Sequence, residues 1–497
     1  MRYMDGMMTS ARHLGDYKRP CSLGVMLLCA CLLIGCQSNA TLRHAQQAYR
    51  TGNLQLSSAL INDFVDKEGR GVDRVIAHLE QGTIRREMGD LQGSQASFNV
   101  AEQAIEHIDN KPDVSVSEEV YASVTNMNNL VYRGYDSDRV MLSVYRALNQ
   151  LQLGDYAAAR VHLIRSYNRQ VDAVNRNARR IEKAQQSASS VAQKKNVNVS
   201  RTSNDPGFNR AMSNHYANIK QYNAYADYVN PFAEWMQGLF FFADAADGSD
   251  MERARKSMQR VSGMVPSNRY VQDDLNMLEA VQSGKQGIAP MTYVIFATGV
   301  APSRGEFRLD IPVFLFAKDV DYVGANFPTL EMHPNFLRQL NVNVQGQRYG
   351  TQLVADMDSI IAQEFDNELP VTITRTIISA ASKAAIAYGL RQTVKDQNSW
   401  EALAIRLAAG AYQVATNEAD QRCWSSLPKQ FQVARFPTPA DRVIHLDDHA
   451  GSPAPVTLIP GKINVVFVRS IAPHTPMTIM QFSFGKGSST WQTALHN

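Results

Sequence analysis

The chain lacks most of the features that announce a chemistry. Of its 497 residues only 5 are cysteine, and 20% are charged with a net charge of +3. The charge balance excludes a strongly basic nucleic-acid binder and a polybasic membrane surface. No apolar run reaches the roughly 20 residues that a transmembrane helix needs. Past residue 36 there is no GxGxxG, GxxxxGK[ST], HExxH, GxSxG or CxxC. A glycine-cradled phosphate, a zincin-type zinc site, a nucleophile elbow and a dithiol centre are thereby left without a signature. The 44% hydrophobic content is that of a globular protein with a sizeable core, and the length suggests two or three domains.

What is present starts at the amino terminus. Cys21 to Gly35 is an uncharged run of 15 residues behind Lys18 and Arg19. It is too short to span a bilayer but has the form of a secretory signal. Its end, Leu33-Ile34-Gly35-Cys36, resembles the bacterial lipobox. That resemblance implies cleavage after residue 35, acylation of Cys36 with diacylglycerol and a fatty acid such as palmitate, and attachment to a membrane. Gln37, where Asp would favour inner-membrane retention, implies the periplasmic face of the outer membrane. Removal of 1–35 takes Cys21, Cys29 and Cys31 with it, and lipidation takes Cys36. Cys423 is then alone, and no intrachain disulfide can form.

From 36 to 282 the chain reads as helices, with apolar residues at three- and four-residue steps. Fixed offsets recur around Gly52, Gly89 and Gly154. Small residues (Ala45, Gly82, Ala147) lie seven before and others (Ser57, Ser94, Ala159) lie five after. Large ones (Ile61, Phe98, Leu163) lie nine after. A glycine that ends one helix, followed by Asn or Asp at the turn, describes a helix hairpin whose small residues let the two helices approach. The pattern resembles the tetratricopeptide repeat. Gly248 is expected to mark a fourth, longer turn. Residues 184–207 are polar and are expected to form a flexible, exposed loop or a frayed helix end. The dense aromatics between Tyr222 and Phe242 read as core.

A linker at 283–290 precedes a change of pattern. From 291 to 497 period-two segments rich in β-branched and aromatic residues alternate with Pro and Gly, the pattern of a β-sandwich-like domain. A helical hairpin is expected as an insertion at 370–417. The expected fold class is therefore α+β and multidomain, a tetratricopeptide-like α-solenoid followed by this sandwich.

Two constellations carry candidate chemistry. Asp356 and Asp358 form a carboxylate pair of the kind used in acid–base catalysis. His445, Asp447 and His449 alternate as metal ligands would on one strand face, although Asp447 to Gly451 reads as a turn. Neither supports naming a reaction, so the chain is read as non-enzymatic, with no cofactor and no metal.

Tyr135, Asp138-Arg139-Val140, Tyr145 to Asn149 and Asn230-Pro231-Phe232 resemble an uncharacterised family of bacterial outer-membrane lipoproteins with tetratricopeptide-like helices. Leu353 to Met357, Thr374-Arg375-Thr376 and Arg422 to Pro428 continue the likeness over most of the chain past Cys36. The resemblance implies no established activity. It implies envelope or peptidoglycan work beside small lipoproteins that resemble activators of penicillin-binding proteins. The expected function is a lipid-anchored scaffold for periplasmic or outer-membrane proteins, binding no nucleic acid. A glycan-binding module is the alternative, and a metal-dependent hydrolase a third reading.

Overall fold

The computed structural model describes residues 40–110, 130–194, 197–222, 225, 229–314, 321–393, 419–447 and 454–485. The helical region begins as a succession of hairpins. Helix α1 (40–50) turns into α2 (Leu54–Glu68), α3 (Arg74–Glu87) into α4 (Leu91–Asp109), and α5 (Asp136–Leu153) into α6 (Tyr156–Lys194). All three turns use the same chemistry. Gly52, Gly89 and Gly154 hold φ at +77°, +83° and +82°, a region that penalises any Cβ. The next residue is Asn53, Asp90 or Asp155. Its side chain accepts a backbone N–H three residues on, at 3.1, 2.8 and 2.9 Å. One glycine thus ends a helix, and the Asx after it caps the next.

Small residues bring the paired helices together. The Ser57 hydroxyl donates to the Ala45 carbonyl at 2.8 Å. A Cβ placed on Gly82 would lie 2.4 Å from the Phe98 ring, so Phe98 occupies the space that glycine leaves. Gly238 and Met258 repeat this contact between α9 (Pro231–Ala243) and α10 (Gly248–Met264). Gly248 itself differs from the expectation. It is the first residue of α10, behind the N-cap Asp247, and its φ is not positive. Aspartate capping starts that helix, so no left-handed glycine is needed there.

The flexible loop expected at 184–207 is also corrected. Helix α6 continues to Lys194, and α7 (Val199–Ser203) and α8 (Pro206–Tyr216) follow. Only a thin face of this polar stretch has to be apolar. Ala188, Ala192 and Val197 supply it, packing with Ile311, Phe327 and Ile377 in one cluster.

The sheets explain why the rest coheres. A mixed five-stranded sheet has the order β11-β10-β1-β7-β6, from Thr478–Phe484, Ile463–Ser470, Met291–Thr298, Gln430–Pro437 and Gln352–Asp356. Strand β10 runs parallel to β1, and β7 antiparallel to it. A four-stranded antiparallel sheet, β5-β4-β8-β9, is built from Gln347–Gly350, Asn341–Val344, Val443–Asp447 and Ala454–Thr457. Strands β2 (Ser303–Val313) and β3 (Asp321–Glu331) form a separate hairpin. Because side chains alternate across a strand, Val294 and Phe296 of β1 meet Val342, Ile444 and Val456 of the facing sheet. Tyr293, Ile295 and Ala297 point the other way, into a cluster that also holds Phe98, Tyr145 and Trp235 of the helices. The central sheet is therefore buried on both faces. The connection at 283–290 is exposed except for Ile288, but the regions on either side of it share one core.

The inserted helix starts earlier than expected. Helix α12 runs unbroken from Met357 to Thr393 with Pro370 inside it. Proline suits a first turn, and in a helix interior it costs about 3 kcal/mol. Burial of Leu369 and Val371 on either side of Pro370, with Phe365 and Ile377 packed below β2 and β3, overrides that cost. The second helix of the expected hairpin, towards 417, falls on residues outside the described ones.

Candidate functional site

The sequence-derived candidates separate in space. Asp356 ends β6, and Asp358 lies in the first turn of α12. Asp356 caps that helix, accepting from the Asp358 N–H at 3.1 Å. Asp358 is buried in an ion pair with Lys429, and burial pushes its carboxyl up to about 6. The pair thus joins strand to helix. On β8, Ile444 and Leu446 are buried while His445 is exposed. Asp447 ends the strand, 3.7 Å from the Arg348 guanidinium, and His449 lies outside the described residues, as does Cys36. Among the described residues no three His, Cys, Asp or Glu side chains converge as a metal site, and no helix is long and apolar enough to cross a membrane.

A different site emerges where the helical hairpins face the sheet. Residues 419–429 contain no helix or strand. They lie in a groove between α1, α3, α4 and α5 on one side and residues 301–306 on the other, where the Ala301 N–H donates to the Leu427 carbonyl at 2.7 Å, and are held at almost every residue. Arg422 donates to Asp73 at 2.7 Å and to the Leu130 carbonyl at 2.8 Å, and its Nε donates to Asp420 at 2.8 Å. Gln46 of α1 donates to the Cys423 carbonyl at 3.0 Å and to Glu80 at 2.8 Å. Glu80 of α3 also accepts the Ser425 backbone N–H at 3.0 Å. The Trp424 indole donates to the Thr83 hydroxyl at 2.8 Å. Its ring centroid lies 5.8 Å from Phe98 and 5.7 Å from Tyr145. Gln46 and Glu80 thus hold the backbone where it turns, the Ser425 N–H also reaching the Cys423 carbonyl at 3.0 Å, while Asp73 and the cluster of Phe98 and Tyr145 hold two side chains.

The site is dry and highly polar. Arg422 is 2% exposed and Trp424 is 1% exposed. Burial raises the Asp73 carboxyl and pushes Glu80 up to about 6. Next to it Asp138 accepts from the Tyr132 hydroxyl at 2.5 Å and the Tyr135 N–H at 3.0 Å, and burial pushes it up to about 6. The Arg304 guanidinium lies 3.9 Å from the Tyr135 ring centroid, and the Arg304 backbone N–H donates to Cys423 Sγ at 3.3 Å. Glu364 of α12 accepts the N–H groups of Asp136, at 2.5 Å, and Ser137, at 3.2 Å, at the start of α5. Buried carboxylates without such partners would cost far more than they contribute.

Several of these groups were not legible as functional. Gln46, Asp73, Glu80 and Thr83 sit on amphipathic helices with nothing in their spacing to separate them from solvated residues. The family-like stretches do point here. Tyr135, Asp138 and the Arg422 to Leu427 stretch converge on this joint, whereas Asn230 caps α9, accepting from Phe232 and Ala233 at 3.0 and 3.3 Å. One nucleophile–base pair also went unread: Ser303 Oγ lies 3.0 Å from His333 Nε2. The hydroxyl is only 6% exposed at the head of β2, which suits a structural bond better than attack on a substrate.

No family model matches the chain, and no curated protein matches it. Among solved structures, it is similar to the crystal structure of a tetratricopeptide repeat protein from Parabacteroides merdae. The two are 14% identical, and the match covers 49% of this chain and 98% of that one with a TM-score of 0.15. A score that low carries no argument.

Proposed function

We propose that this protein is a non-enzymatic interaction scaffold of the bacterial envelope. On this reading it is a lipoprotein anchored through Cys36 to the periplasmic face of the outer membrane, and its helical hairpins form a tetratricopeptide-like array. One observation carries the interaction reading: the helical hairpins hold an irregular polypeptide segment, residues 419–429, through backbone groups as well as side chains. That is how a sequence-tolerant yet selective peptide groove works. The lipobox-like Leu33 to Cys36 carries the anchoring, since more than one acyl chain holds a protein stably to a bilayer. Partners among periplasmic or outer-membrane proteins, including lipoproteins that resemble activators of penicillin-binding proteins, fit this placement.

The anchoring is tested by fractionation. Wild-type protein is expected in the outer-membrane pellet, and Cys36→Ala protein is expected to stay at its precursor size or lose the outer-membrane association. An unchanged distribution of a correctly processed Cys36→Ala chain would sink the lipoprotein reading. The scaffold is tested by in-envelope crosslinking with mass spectrometry, which should return a reproducible protein partner. Recovery of glycan alone would favour the glycan-binding alternative.

A further inference from the structure

We propose that the protein rests on the phospholipid surface at two points: the lipidated end, and the tip of an arm that projects from the same end of the helical array. The proposal rests on the lipoprotein reading and adds to it the face that meets the lipid.

The hairpins give the array two ends. Gly52, Gly89 and Gly154 turn the chain at one of them. At the other, α1 begins at residue 40, α2 passes into α3 through residues 69–73, and α5 begins at Asp136. Contacts tie this second end together. The Tyr132 N–H donates to the Val72 carbonyl at 2.9 Å, and Arg139 donates to Asp109 at 2.9 Å.

Helix α6 does not stop there. Its Asn177 donates to Asp136 at 3.0 Å, level with the start of α5. From Asn177 to Lys194 the helix runs on for about 25 Å at ~1.5 Å per residue. Strand β2 leaves the same end, with Arg304 over the Tyr135 ring, and follows α6 outward. The Phe314 carbonyl accepts the Asn198 N–H at 2.9 Å, and the Pro312 carbonyl accepts the Thr202 hydroxyl at 2.8 Å. Helix α12 joins them, the Thr374 hydroxyl accepting from Gln185 at 3.0 Å. These elements form an arm whose tip is made of Lys194, α7 and the end of β2.

The anchor is shorter than the arm. Cys36 lies four residues before Ala40, a reach of about 14 Å at full extension. With the hairpins upright on the bilayer, the arm would have to enter it. No helix among the described residues is long and apolar enough to cross a membrane. The array therefore leans, and anchor and arm meet the surface together. The tip carries side chains suited to that boundary. Tyr322, opposite Pro312 in the hairpin, is 71% exposed. Lys194 and Arg201 are exposed, and the Arg201 guanidinium lies 4.1 Å from the Phe314 ring centroid. Amphipathic rings and long basic stems settle between headgroups and acyl chains.

The test uses the processed, acylated chain in vesicles of phosphatidylethanolamine and phosphatidylglycerol that carry a headgroup quencher. A fluorophore is placed on one cysteine, Ser200→Cys at the tip or Gln92→Cys beside a glycine turn, with Cys423→Ser in both. The two positions are on the order of 50 Å apart along the helix axes, so the Ser200 label is expected to be quenched at least about 2-fold more. Equal quenching, or the reverse order, would overturn the proposal. Lys194→Glu/Arg201→Glu alters only exposed side chains and is expected to lower quenching at Ser200 by about 2-fold. Quenching unchanged by that variant would overturn the tip as a contact. The same labels on an unacylated chain with hexahistidine before Gln37, held on nickel-chelating lipid, are expected to show the same order. That order on nickel lipid, with no acyl group on the chain from cells, would sink the lipoprotein reading and leave the geometry of the arm standing.

Discussion

The two faces of the central sheet solve the same problem differently. Towards the second sheet, β1, β7, β10 and β11 present Thr292, Val294, Phe296, Ala434, Phe436, Val466, Val468 and Ile479. No charged side chain lies on that side of these strands, and the amides of Gln432 and Gln481 are bonded to backbone carbonyls at 2.8 and 3.0 Å. Towards the helices the same strands present Arg435 and Arg469. Arg435 meets Asp274 of α11 (Arg269–Gln282) at 2.8 Å, and Arg469 lies 4.0 Å from Glu87 of α3. Apolar layers attract without direction, so a flat pair of sheets can rely on them. Helices docking on a sheet can slide, and buried charges with fixed partners penalise every register but one. The difference teaches that the helix-facing side trades stability for a unique alignment, and that alignment is what shapes the groove.

The strongest way to break this comparison is to remove one member of a buried pair. Arg469 is 1% exposed and donates to the Tyr49 hydroxyl at 3.2 Å and to the Ala297 and Ser470 carbonyls at 3.2 and 2.8 Å. Arg469→Met leaves the buried Glu87 with Arg86 as its remaining positive neighbour and strips the Tyr49 hydroxyl of its donor, a change that costs about 3 kcal/mol. The double variant Glu87→Leu/Arg469→Met removes both charges and is expected to recover at least about 1 kcal/mol of that loss. Guanidinium denaturation measures both. If single and double variants were equally destabilised, charge would not be what distinguishes the two faces.

A smaller effect sharpens the comparison through pH. Burial pushes Glu80, Asp138 and Asp274 up to about 6 each, well above their unfolded values. Between those unfolded values and about 6 the folded chain holds more protons than the unfolded one. These three groups therefore make stability fall as pH rises through that window, by on the order of 2 kcal/mol each, and add no slope above it. Glu80→Gln is expected to remove one share of this fall when denaturation is compared at pH 4.5 and pH 7. Phe296→Leu, on the dry face, is expected to lower stability equally at both. A pH-dependent Phe296→Leu effect would erase the distinction.

Much of the architecture was legible because it rests on local rules. The turn glycines Gly52, Gly89 and Gly154 need a left-handed φ, and their Asx neighbours need a cap to make, so both appear in sequence as short patterns. Strand β11 shows period two over 480–484, where Met480, Phe482 and Phe484 alternate with Gln481 and Ser483. Strand β3 did not, because Gly324, Asn326 and Pro328 mimic a loop and only tertiary contact makes them a strand. Helix α12 hid its first half behind Pro370 for the same reason. The groove was the least legible part. Asp73, Glu80, Arg422 and Arg469 are charged residues, and charge in a sequence reads as surface. Only the assembled fold shows that each meets a buried partner, Asp73 with Arg422, Glu80 with Gln46 and Arg469 with Tyr49, rather than water.

The smallest test asks how polar that joint is at one atom. Cys423 is 7% exposed, and burial pushes its thiol up to about 12. It should therefore react with a thiol reagent only when the chain opens, at a rate that denaturant accelerates. Its sulfur accepts the Arg304 N–H at 3.3 Å. On an apolar face such as that of Val466, alanine would replace a buried thiol better than serine, since the hydroxyl would gain no partner. Here serine offers an oxygen to the same N–H, whereas alanine leaves that donor buried and unpaired at a cost of about 1–3 kcal/mol. Cys423→Ser is expected to be more stable than Cys423→Ala by about 1 kcal/mol, read from denaturation midpoints at constant slope. The opposite order would mean that this joint behaves like the sandwich interior, and that the alignment of the segment in its groove rests on shape alone.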